Sequence, residues 1–240
     1  MSAHLLVVDD EEVLCELVGD ELSDTGYKVS LANGAKAAQT LIASSKFDGI
    51  VTDMRMPDGN GLDVTRAAHA INKELPVVVI TGYSDISIED LFSGGVFAML
   101  NKPVNFDLLF AVLKRLLLPL RERMKLNAFT PELKLIGISL QSTATVQSAE
   151  GFLGRNGAFL PAVSGLPDVG KLIDFSSTSF RNAPGIALSG KAIVRWCRDK
   201  AQGELRSGMG IEFVELSKES MDAHLDWLAS AQPQHSIPKT

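Results

Sequence analysis

Five short runs rich in β-branched residues recur through the first half of the chain: HLLVVD, KVSLA, FDGIVTD, PVVVIT and VFAMLN. Longer stretches with helical spacing separate them: EEVLCELVGDELSDTG, GAKAAQTLIASS, GLDVTRAAHAINKE and ISIEDLFSGG, and FDLLFAVLKRLL follows the fifth run. Strands that alternate with helices make βαβ units, and such units build a parallel sheet covered on both faces. Few other folds accept that order. Five pairs fill about 120 residues, an ordinary domain size. The expectation for this half is an α/β, doubly wound, five-stranded parallel sheet.

That sheet gathers the polar residues at one edge. Asp9 and Asp10 end the first strand, Asp53 the third and Thr81 the fourth, and Lys102 follows the fifth. Ligands of open α/β sheets bind at the carboxyl ends of the strands. Each residue has a plainer use: Asp10 as a helix cap, Asp53 as a turn acid before MPDGNG, Thr81 as a strand hydroxyl, Lys102 as a surface charge. Together they suit one chemistry. Three carboxylates brought together repel, and a hard cation such as Mg²⁺ removes that cost. A carboxylate can attack phosphorus, and a lysine and a hydroxyl can bind the oxygens of the transferred group.

The motifs VVDDEE, VTDMRMPDGNG, ITGYSD and LNKPV together resemble the response-regulator receiver domain, over about residues 3–120. The resemblance implies the strand order 2-1-3-4-5. It implies that Asp53 accepts a phosphoryl group from a histidine kinase or phosphotransfer protein. Asp9, Asp10, Asp53 and the backbone carbonyl of Arg55 would hold Mg²⁺. Thr81 and Lys102 would bind the phosphoryl oxygens, with a cis Lys102–Pro103 bond. Thr81, the GYSDIS loop and the fourth helix would be the moving parts. Where receivers carry an aromatic switch residue, this chain has Met99.

The fifth helix carries more than one apolar stripe, which implies a cover: the second domain, or a second copy through the face of helix four, strand five and helix five.

After RERMKLNAFTPE the pattern turns to β: LKLIGISLQSTATVQSAE, GAFLPAV, GKLIDFSS, GIALSGKAIVRWC and GMGIEFVEL, with SKESMDAHLDWLAS as a closing helix capped by Ser217. Short strands joined by Gly, Ser and Pro suggest a small closed antiparallel barrel. The expected division is a receiver over 1–120, a linker over 121–131, a barrel over 132–230 and a disordered tail over 231–240. The order of pieces is similar to a PilZ domain. Such domains bind cyclic di-GMP through RxxxR and [DN]xSxxG. Set against FLGRNG, the acid or amide position is Phe152 and the serine position Gly154, so only Gly157 survives. RxxxR has become Arg121 to Lys125, and lysine lacks the planar fork. Arg121, Arg123, Lys125, Arg155 and Gly157 are the nucleotide candidates, but the expectation is a loop without cyclic di-GMP and a domain that binds protein. The rival is a cyclic di-GMP effector modulated by the receiver, and a second rival a pure assembly module.

Charge is unevenly split between the halves. Residues 1–120 carry nine basic and seventeen acidic residues, and 121–240 fourteen and twelve. The first half repels nucleic acid, and the second is too weakly basic to track phosphates. No helix-turn-helix pattern is visible, so no DNA partner is expected. LLFAVLKRLLLPL is broken by Lys114, Arg115 and Pro119, which argues against membrane insertion. Cys15 and Cys197 read as buried thiols of a cytoplasmic protein. Beyond the phosphoryl transfer of Asp53, no enzyme activity is expected.

Overall fold

A computed structural model of the chain describes residues 2–82, 86–161, 166–231, 233 and 235–239. It divides into two compact units, Met1–Ile86 with Gly94–Leu118, and Ser87–Ser93 with Pro119–Thr240.

In the first unit, β1 (His4–Val8), β2 (Lys28–Ala32), β3 (Gly49–Asp53), β6 (Val77–Thr81) and β7 (Ala98–Asn101) form a five-stranded sheet in the order β2-β1-β3-β6-β7. Every pairing in it is parallel. This is the expected 2-1-3-4-5 order once the hairpin of β4 (Arg55–Met56) and β5 (Gly59–Asn60) is set aside. The strand period of two divides the core. Leu5, Val7, Val51, Val78 and Ile80 face one layer, where Cys15, Val18 and Leu22 of α1 (Glu12–Asp24) and Leu109, Val112, Leu113 and Leu116 of α5 (Phe106–Leu116) pack. Leu6, Val8, Ile50 and Val77 face the other. There Ala35, Ala38 and Ile42 of α2 (Ala35–Ser44) meet Val64 and Ala68 of α3 (Gly61–Ile71). Strands buried on both faces read as continuous apolar runs, as these do.

The surplus apolar side of α5 is only partly covered within its own unit. Phe106, Leu108, Phe110 and Leu117 are partly buried against the same core. Two of the stated moving parts lie elsewhere: Tyr83, Ser84 and Asp85 of the GYSDIS loop fall outside the described residues, and α4 (Ile88–Ser93) belongs to the second unit.

The second unit holds β8 (Thr145–Ser148), β9 (Phe152–Leu153), β10 (Gly157–Pro161), β11 (Leu172–Ser177), β12 (Leu188–Arg198) and β13 (Gly208–Leu216). Their order is β8-β11-β12-β13-β10-β9. The expected closed antiparallel barrel is corrected here. The sheet is mixed, since β8 runs parallel to β11. It curls into a half-barrel, and among the described residues no pairing joins its outer strands β8 and β9. Those strands are four and two residues long, too short to carry closure.

Helices flank this sheet. Met221, Trp227 and Leu228 of α8 (Lys218–Ala231) share a cluster with Ala192, Val194 and Phe213. Phe129 and Leu133 of α7 (Leu126–Leu135) pack on Leu172, Ile193 and Val214. The stretch 121–131, expected as a linker, therefore holds α6 (Leu120–Arg123) and the start of α7. LKLIGISL is not a strand. Leu126, Phe129 and Leu133 fall at i, i+3 and i+7, a helical stripe that Pro131 obscures. Gly137, at φ 71°, ends the helix, and the Ile138 amide donates to the Leu133 carbonyl (2.8 Å), closing a Schellman turn. Phe129→Ala is expected to cost about 3–5 kcal/mol of second-unit stability, read as a lowered urea midpoint. Ser217 caps α8 as expected, its hydroxyl accepting from the Ser220 amide (3.2 Å).

Candidate functional site

The strand ends of the first unit converge as the sequence implied. Asp9 follows β1, Asp53 closes β3, Thr81 closes β6 and Lys102 follows β7. Parallel register aligns them: Asp53 lies beside Ile80, Thr81 beside Asn101, and the Lys102 amide donates to the Thr81 carbonyl (2.8 Å). The Lys102–Pro103 bond is cis, as the resemblance implied.

Lys102 is the centre of charge. Its Nζ lies 2.8 Å from Asp53 Oδ1, 3.2 Å from Asp9 Oδ2 and 3.3 Å from Glu11 Oε1. Both aspartates are buried, at 5% and 6% exposure. The second oxygen of each is held by backbone: Asp9 Oδ1 accepts from the Glu11 amide (2.9 Å) and Asp53 Oδ2 from the Arg55 amide (2.6 Å). Burial pushes the Asp9 carboxyl above its ordinary value, against the lowering effect of the Glu11 amide and Lys102. Burial also opposes the Lys102 charge, but hydrogen bonds and attraction from Asp53 and Asp9 outweigh it, and its pKa stands above the ordinary lysine value.

The donor set suits a divalent cation. Two buried carboxylates share one ammonium, and one of them is pushed towards protonation. Asp10 is exposed, and among the described residues no group of three or more acids, histidines or cysteines has metal-holding spacing. Lys102 instead supplies the countercharge to Asp9 and Asp53. Arg55 is exposed on β4. Thr81 is 4% exposed, and Met99 is partly buried beside Val79 on β7.

Two acids were missed as individuals. Glu11, within VVDDEE, joins the Lys102 cluster. Asp58, within MPDGNG, accepts from the Ala35 and Lys36 amides (2.9 and 3.0 Å) and so caps α2 from another loop. Those amides, Lys36 first, hold its carboxyl below the usual range. Gly34, at φ 132°, brings the chain against Asp58: a side chain there would meet its Oδ1 at 2.8 Å.

The nucleotide candidates of the second unit are in structural use. Arg155 is 1% exposed, and its Nη2 donates to the Pro233 carbonyl (2.5 Å). Arg121 pairs with Asp222 (2.6 Å), Lys125 pairs with Glu122 (2.8 Å), and Arg123 is 7% exposed. Gly157 starts β10, where a Cβ would lie 1.9 Å from the Ile211 carbonyl oxygen. Close strand approach therefore demands glycine there.

The turn before Gly157 has an occupant, the chain's own C-terminal segment. Arg155 and Asn156 amides donate to the His235 and Ser236 carbonyls (2.8 and 2.9 Å). Ser236 and Ile237 are 1% and 0% exposed. The tail was expected to lack order; buried Ile237 and Pro238 and a row of backbone hydrogen bonds anchor it.

Cys15 is fully buried, while Cys197 is only partly so; burial raises both thiol pKa values. Among the described residues no helix is long and apolar enough to cross a membrane.

Residues 5–114 match the family model of the response regulator receiver domain. The transcriptional regulatory protein ZraR of Escherichia coli (strain K12) is 33% identical over 118 residues, 48% of this chain and 26% of ZraR. The response regulator MprA of Mycolicibacterium vanbaalenii is 35% identical over 118 residues, 49% of this chain and 51% of MprA. The chain thus spans about a quarter to half of the length of these relatives. Among solved structures, TrrA of Thermotoga maritima, in complex with Mg(2+)-BeF, is 32% identical over 48% of this chain and 99% of that one, with a TM-score of 0.45.

Proposed function

We propose, from the receiver domain that forms the N-terminal part of this chain, that the whole protein is a phosphorylation-controlled response regulator with Asp53 as its phosphoacceptor. The observation that carries this reading is the position of Lys102, 2.8 Å from Asp53 and 3.2 Å from Asp9 at the carboxyl edge of the sheet. A buried carboxylate with a lysine on one oxygen is aligned to form a bond to phosphorus through the other. A histidine kinase or phosphotransfer protein would supply the phosphoryl group, its P–N bond breaking as the bond to Asp53 forms. Lys102 then follows the transferred oxygens, and the Thr81 hydroxyl, one strand away, binds another.

Receiver domains bind Mg²⁺. Here Asp9, Asp10, Asp53 and the Arg55 carbonyl would hold it, and it would supply charge neutralisation of the phosphoryl oxygens. Until then Lys102 keeps Asp9 and Asp53 from repelling each other.

The second unit acts by binding a protein rather than DNA or cyclic di-GMP. In support, Arg155 is buried against Pro233, and the Gly154–Gly157 turn is filled by the tail. The chain would work in the cytoplasm.

Incubation with acetyl phosphate and Mg²⁺, followed by intact-mass measurement, tests the phosphoacceptor. One hydroxylamine-labile phosphoryl group per chain is expected, absent from Asp53→Asn. Labelling that survives Asp53→Asn would defeat the assignment.

A further inference from the structure

Helix α4 is six residues long, too short to hold its shape alone. Its last carbonyls need partners, as in any helix. The C-terminal segment supplies them. The Ser236 amide donates to the Phe92 carbonyl (3.1 Å), and His235 Nδ1 lies 2.5 Å from the Ser93 carbonyl. Lys239 pairs with Asp90 on the first turn of the same helix. Ile237, fully buried, forms a cluster with Phe92 and Trp196.

The other side of the segment lies on the Gly154–Gly157 turn. Besides the two backbone bonds from Arg155 and Asn156, Asn156 Nδ2 donates to Ser236 Oγ (2.8 Å). A Cβ at Gly154 would lie 2.6 Å from Pro238 Cδ and from the Ser236 carbonyl oxygen, so the turn is shaped for this occupant. Residues 235–239 therefore touch α4 on one side and the turn on the other.

We infer that residues 235–239 form a detachable latch that holds helix α4 within the second unit and releases it when Asp53 is phosphorylated. The second clause rests on the proposed function. Three features fit a latch better than a permanent strut. Its grip depends on a stretch of only three buried residues, Ser236, Ile237 and Pro238, flanked by hydrogen bonds and one surface ion pair. It follows α8 directly, so it can leave without breaking the sheet. And the helix it holds has few other side-chain ties to the sheet: the Glu89–Arg198 ion pair (2.5 Å), the Phe92–Trp196 stack (6.2 Å) and Arg195 over the Phe92 ring (5.9 Å). Opening would thus loosen α4 while leaving β12 and β13 intact, a local event of the kind hydrogen exchange resolves.

Hydrogen–deuterium exchange on the full chain tests both clauses. Without phosphodonor, Ile237→Asp is expected to speed exchange in a peptide covering 87–93 by at least about tenfold, with Ile237→Ala intermediate. Peptides from β12 and β13 should keep their protection, which shows that the variants are folded. Unchanged exchange at 87–93 in both variants overturns the latch, and loss of protection across β12 and β13 overturns its independence from the sheet. With acetyl phosphate and Mg²⁺, the natural chain should show the same increase at 87–93, and Asp53→Asn none. Phosphoryl incorporation without that increase overturns the switch and leaves the phosphoacceptor standing. Failure of incorporation defeats the phosphoacceptor reading, while the Ile237 variants still decide the latch.

Discussion

Gly157→Ala is expected to destabilise the second unit by about 3 kcal/mol or more, at the upper end of what overpacking costs. Gly157 pairs with Glu212 in the β10–β13 ladder. A Cβ there would lie 1.9 Å from the Ile211 carbonyl oxygen and 2.8 Å from Ile237 Cγ1. The first clash is with backbone, so no rotamer change relieves it. β10 would have to draw away from β13, breaking hydrogen bonds in the middle of the sheet. Gly170→Ala provides the contrast. Gly170 has φ 82° and nothing within 4 Å of an added Cβ, so only backbone strain remains, about 1–2 kcal/mol. Urea titration of the two variants should separate them, and equal midpoints would refute the steric account.

Acid should weaken the same unit through His224. This imidazole is fully buried in α8, with Nε2 2.9 Å from the Arg155 carbonyl and its ring stacked on Trp227. Burial lowers its pKa from 6.5 to about 4, although the hydrogen bond to Arg155 works the other way. The unfolded chain takes up a proton as pH falls below 6.5, and the folded chain resists until about pH 4. Stability contributed by the neutral ring is therefore complete above pH 6.5, declines through that window and is gone below it. The total is about 3 kcal/mol at 1.36 kcal/mol per unit. His224→Gln should lower stability near neutral pH but flatten its dependence between pH 6.5 and 4. An unchanged slope in the variant would assign the acid sensitivity to other groups.

The first unit was legible because local and global signals agree there. Period-two strands such as Leu5–Leu6–Val7–Val8 declare two buried faces, and the polar residues at their carboxyl ends need only the parallel register to meet. Lys102 and Asp9 are 93 positions apart, yet the βαβ rule alone brings them to one edge. Helix α7 was harder, since Pro131 interrupts its stripe and Leu133–Leu140 has the composition of a strand. The tail was hidden for another reason. Ser236 and Asn156 lie 80 positions apart, and the segment is held largely by backbone hydrogen bonds, which no side-chain pattern announces. AQPQHSIPKT offers a single large apolar residue, too little to mark a packed segment. The Gly-rich run was read correctly as a turn, but its ligand is internal.

The assignment of Ser87–Ser93 to the second unit bears on how the protein is taken apart. Cutting the chain after Leu118 separates the sequence cleanly but not the structure. The fragment 1–118 would carry Phe92 without Trp196 or Ile237 beside it, leaving an apolar ring bare to solvent. The complementary fragment would expose an Arg198 stripped of Glu89. Activity or oligomeric state measured on either piece would describe a molecule with a wound, whereas point substitutions in the intact chain leave both surfaces covered.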